Sequence, residues 1–140
     1  MSKPVKMTYA VLLAVTAIFL AVTLSIPDHG NGNGWEYGLW TAFFLYPLYY
    51  VVLGIGLGLL LPARWICVSF LILYGISFAA FFINYLTDGQ QMPEILPFAL
   101  SCTIYPLFCT VAAAITWGIK ALMVSVREFT HKDRKDGKFQ

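Results

Sequence analysis

Four long apolar runs separated by short polar links set the pattern of this chain. They cover residues 7–26, 38–61, 65–86 and 95–123, and only Lys120, near the end of the fourth, carries charge within them. At the α-helical rise, about 20 residues reach across a hydrocarbon core of about 30 Å. The links carry the punctuation expected between helices. Pro27 opens a Gly- and Asn-rich loop, Pro62-Ala63-Arg64 forms a minimal turn, and Thr87 to Glu94 includes Asp88, Gly89 and Pro93, with Pro97 delaying the next helix further. The pattern predicts an all-α, integral membrane four-helix bundle in one domain spanning 1–140, built as two antiparallel transmembrane hairpins and followed by a basic tail over 124–140. A three-residue turn between the second and third helices makes them antiparallel neighbours.

Composition narrows the class further. The chain is 59% hydrophobic and 11% charged, with a mean hydropathy of +0.74, too little polar surface to cover a soluble domain of this size. The first run follows a short basic N-terminus, as a secretory signal would. At about 20 residues it exceeds a signal core of about 7–15, so it reads as a retained helix. Charge supplies orientation. All nine Lys and Arg residues fall on one side of a four-span arrangement, while the two links on the other side carry Asp28, Glu36, Asp88 and Glu94. The positive-inside rule then places both termini and the Arg64 turn in the cytoplasm of a plasma membrane, expected to be a bacterial inner membrane.

Helix 2 carries the most distinctive residues. Tyr46, Tyr50, Gly54 and Gly58 recur at i, i+4 on one face. The glycine end of that row admits a close backbone, as small-residue motifs do in lipid. The pattern leaves open whether that backbone belongs to this chain or to another protein, and an internal contact is favoured. Tyr46-Pro47-Leu48 recurs as Tyr105-Pro106-Leu107 after a shift of 59 residues, a faint echo of a duplicated hairpin. Each proline removes a backbone donor, which predicts weakened carbonyls at Phe43 and Cys102. Tyrosine hydroxyls at the same depth would satisfy them, as a structural core or as the lining of a small polar cavity.

Chemistry is sparse. The apolar cores contain no Asp, Glu or His, so ion-coupled transport and haem ligation by helix histidines lack their residues. Asp28, His29 and Glu36 on a Gly-rich loop fall short of a metal site. Cys102 and Cys109 are about 10 Å apart along one helix, too far for a disulfide, and no CxxC is present. In size the chain resembles the small four-helix multidrug exporters, but helix 1 lacks the buried glutamate that family needs. The Trp35…Gly38-Leu39-Trp40 string resembles the claudin signature, but Thr41 follows where that family continues into a long segment with paired cysteines; the resemblance is rejected. Trp35, Tyr37 and Trp40 read instead as an interfacial aromatic belt. The expected function is non-catalytic: an accessory, assembly or immunity-type protein that binds another membrane component. The alternative is a small oligomeric permease or lipid transporter without ion coupling, and a lipid-directed enzyme stands third. No catalytic residue, cofactor or metal is expected. The lipid bilayer, with another membrane protein or a second copy, is the expected partner, and nucleic acid is not.

Overall fold

The computed structural model describes residues 2–25, 40–87 and 94–137, almost all of them helical. The elements are α1 (Lys3–Ser25), a π-helical turn (Thr41–Leu45) that runs directly into α2 (Tyr46–Leu60), α3 (Ala63–Thr87), the short α4 (Ile95–Ser101) and α5 (Ile104–Asp136). Among the described residues, four helical segments are long and apolar enough to cross a membrane: Lys3–Ser25, Thr41–Leu60, Ala63–Thr87 and, with α4 and α5 together, Ile95–Lys132. The Gly/Asn-rich link with Trp35 and Tyr37, and the link around Asp88, lie outside the described residues.

Proline sets several boundaries. Pro4 and Pro97 both sit in the first turn of a helix, where a missing N–H costs little, so Pro97 belongs to α4 and does not delay it. Leu61 precedes Pro62 and is extended (φ −102°, ψ 149°), which ends α2 after its N–H has bonded Leu57 O at 2.8 Å. At Pro47 the helix survives by changing register. The N–H of Tyr46 donates to Thr41 O, five residues back, and the π turn delivers the chain into α2 with Pro47 in its first turn. At the second triplet the helix breaks. The Thr103 N–H and hydroxyl both bond Leu100 O, at 3.1 and 2.6 Å. Helix α5 restarts at Ile104, so Pro106 falls in a first turn.

The expected helix over 95–123 is interrupted at Cys102 and Thr103, and it continues into the basic segment as far as Asp136. The tail keeps the helix because its charges interleave with Leu122, Met123, Val126 and Phe129 and no Gly or Pro intervenes before Gly137.

In the packing, α2 lies closest to α5. Helix α5 also meets α3, and α3 meets α1. Consecutive helices α2 and α3 approach each other less closely, although only Leu61 and Pro62 join them. The cause is side-chain size, since α2 turns its glycines to α5 and its tyrosines to α1 and α3.

Candidate functional site: a glycine seam and a hydroxyl network

Tyr46, Tyr50, Gly54 and Gly58 form one buried face of α2, with Leu53 and Leu57 beside them. Its two halves do different things. At the glycine half, a Cβ on Gly54 would collide with the carbonyl oxygen of Cys109 and stand 2.9 Å from Ala112 Cβ. A Cβ on Gly58 would lie 2.5 Å from Ala113 O and 2.8 Å from Thr116 Cβ. The obstacles are mostly α5 backbone, which cannot swing aside, so only glycine fits at both positions. Gly56 meets nothing within 4 Å and lies off this face. The receiving groove on α5 is made of small residues, Cys109, Ala112, Ala113 and Thr116. Lys120 closes its end: Nζ donates to Leu59 O at 2.7 Å, and Leu59 is among the last carbonyls of α2, which have no helical N–H to accept.

The tyrosine half reaches across wider gaps. Tyr50 is fully buried and its hydroxyl pairs with Ser77 at 2.7 Å, joining α2 to α3. Tyr49 pairs with Thr16 and Tyr46 with Thr23, each at 2.9 Å, joining α2 to α1. Tyr9 and Ser69, also at 2.9 Å, join α1 to α3. Direction follows from the second bond of each partner. Thr16, Thr23 and Ser69 donate their own protons to Leu12, Phe19 and Trp65 carbonyls at 2.7–2.8 Å. In those three pairs the tyrosine is therefore the donor and the helix hydroxyl the acceptor. Aromatic contacts fill the space between, among them Phe19 stacked on Tyr49 at 4.0 Å between centroids and Tyr46 edge-on to Tyr105 at 5.3 Å.

The two Tyr-Pro-Leu triplets meet here. Tyr105 sits beside Tyr46 and Tyr50, and its hydroxyl donates to Ala42 O at 3.2 Å. The carbonyl it bonds is one residue from the Phe43 carbonyl expected from sequence. In α register Ala42 O would accept from Tyr46 N–H, but the π turn sends that donor to Thr41. In π register its donor would come from position 47, a proline with no N–H to give. Among the described residues, no buried side-chain nitrogen or oxygen lacks a hydrogen-bond partner.

Other candidates are not drawn in. Cys102 and Cys109 are buried free thiols on the α5 side, and Cys67 is exposed. Trp40 is exposed and packs on Phe44 at 4.7 Å. The loop residues Asp28, His29 and Glu36 lie outside the described residues, and among the described ones no three His, Cys, Asp or Glu come together as a metal site. Sequence reasoning missed the partners: Thr16, Thr23, Ser69 and Ser77 for the tyrosines, and Cys109 and Ala113 for the glycines. One signal was present, the small residues Cys109, Ala113 and Thr116 recurring at helical spacing opposite an apolar face. Comparison with protein-family models, characterised proteins and solved structures finds no match to this chain.

Proposed function

We propose that this chain is an integral membrane protein of four spans, in a bacterial inner membrane with both termini cytoplasmic, that acts by binding another membrane component. Its role is then non-catalytic, of the accessory, assembly or immunity type. The observation that carries this reading is how fully the interior is used up. The glycine seam leaves no room for a Cβ at Gly54 or Gly58, and each buried tyrosine hydroxyl is taken by a named partner. An interior spent on its own cohesion supports activity at the outer, apolar faces, where Ile55, Leu71, Ile115 and Leu122 are exposed. The runner-up, a permease without ion coupling, would need the tyrosines to line a path; pairs of 2.7–2.9 Å across α1, α2 and α3 favour the structural role.

Orientation rests on the one-sided placement of the nine basic residues. Single cysteines at Ala63 and Gly137 are expected to resist an impermeant maleimide applied to intact cells, while cysteines at Asn33 and Gln90 label. The functional reading is tested by copurification in mild detergent and by deleting whatever copurifies. Loss of this chain from the membrane when its partner is absent is the expected result. Full stability without any partner, together with solute flux in liposomes that Tyr50→Phe abolishes at unchanged fold, would establish the permease instead.

A further inference from the structure

Helix α5 changes character at Lys120. Before it, the buried positions Cys109 and Ala113 and the half-buried Thr116 face the other helices. After it the helix runs on for about 24 Å, and the same face becomes polar with Arg127 and His131. A second face stays apolar as far as Phe129. Ile115, Ile119, Leu122, Val126 and Phe129 are all exposed, Leu122 by 66% and Phe129 by 68%. Their spacing is 4, 3, 4, 3, an unbroken coiled-coil seam that begins inside the apolar span and continues past the end of α2.

We propose that this seam pairs α5 of two copies of this chain as a parallel two-stranded coiled coil. Four features select that occupant. In the central heptad Ile119 and Val126 fall at the a positions and Leu122 at d, the distribution that favours two parallel strands, with Ile115 and Phe129 at the outer d positions. Gly118 and Ser125 flank the seam on one side, and a Cβ at Gly118 meets nothing in its own chain, which leaves room for a neighbour. Between Ile115 and Phe129 the charged residues, Lys120, Arg127 and Glu128, all lie outside the seam, so two copies meet there without like charges facing. Side chains this exposed would bury roughly 1,000 Å² over both copies, the size at which an interface becomes specific. The next position in the series, 133, is aspartate, and the seam ends there. Parallel pairing rests on the membrane reading above, because two copies in one bilayer share an orientation.

The test uses the full chain in native membranes with Cys67 replaced by Ser, leaving the buried Cys102 and Cys109 in place. Leu122→Cys, Val126→Cys, Val124→Cys and His131→Cys variants are oxidised with copper phenanthroline after retention on carbonate washing has been checked. Disulfide-linked dimer is expected from the first two at about fivefold or more over the last two, because facing a and d positions approach each other and outer positions do not. Adding Val126→Glu to Leu122→Cys is expected to bring its yield down to that of Val124→Cys; Val126 is exposed, so the chain's own fold is not at stake. Retention with equal or absent cross-linking at all four positions would overturn the pairing and assign the stripe to lipid, leaving the membrane reading intact. Release by carbonate would overturn both.

Discussion

The two halves of the buried face of α2 solve the same problem in opposite ways. Toward α5, glycines bring backbone against backbone, and attraction comes mainly from many close contacts, with the Lys120–Leu59 hydrogen bond only at the end of the seam. Toward α1 and α3, tyrosines hold the helices farther apart and bridge the gap with a ring and a terminal hydroxyl. The first side tolerates no added atom. The second tolerates the loss of one, because removing a hydroxyl leaves the aromatic body in place. Shape therefore dominates the energetics of one side and hydrogen bonding tunes the other.

The largest effect that would break this contrast is expected at the seam. Gly54→Leu or Gly58→Leu should cost about 3 kcal/mol or prevent assembly, since the obstructing atoms are largely α5 backbone. Gly56→Leu, on open ground, should change little, and thermal unfolding in detergent compares the three. Equal stability would mean that α2 and α5 do not meet through these glycines.

A smaller effect is expected on the tyrosine side. Tyr50→Phe leaves the Ser77 hydroxyl buried without its partner and should cost about 1 kcal/mol. A double-mutant cycle with Ser77→Ala should return a coupling of about 0.6 kcal/mol, and no more than about 1.7. Coupling near zero would show that the pair does not hold α2 to α3. Weaker again is Lys120→Met, which leaves the last carbonyls of α2 without their cation and should cost about 0.3–1 kcal/mol, with the loss shrinking in high salt. The last change has the opposite sign. Gly56→Ala removes backbone freedom from the unfolded chain at a site with room for a methyl, and should raise stability by at most about 1 kcal/mol.

Much of the architecture was legible because its signals are local. Apolar run length marked four helices that could span a membrane, and the i, i+4 spacing of Tyr46, Tyr50, Gly54 and Gly58 marked one face of α2. The partners of that face were not legible. Thr16 and Ser77 look like any small polar residue in a helix until tertiary packing brings a phenol to them. The π turn also escaped, since a proline announces a lost donor without saying how the backbone will absorb it. That is why the relieved carbonyl is Ala42 and not Phe43. The continuation of α5 into the basic tail was not legible either, although Leu122, Val126 and Phe129, spaced 4 and 3 apart, carry the helix through it.

The native thiols test most directly whether the interior is closed core or polar cavity. Cys109 lies on the glycine seam, Cys102 lies at the break before the second Tyr-Pro-Leu triplet, and Cys67 is exposed as an internal reference. N-ethylmaleimide added to the folded protein in mild detergent, followed by peptide mass spectrometry, reads all three at once. Cys67 should label readily, while Cys102 and Cys109 should label only after unfolding in SDS. Labelling of folded Cys102 at the rate of Cys67 would place an open cavity where the two triplets meet, and equally fast labelling of Cys109 would contradict the closed seam itself.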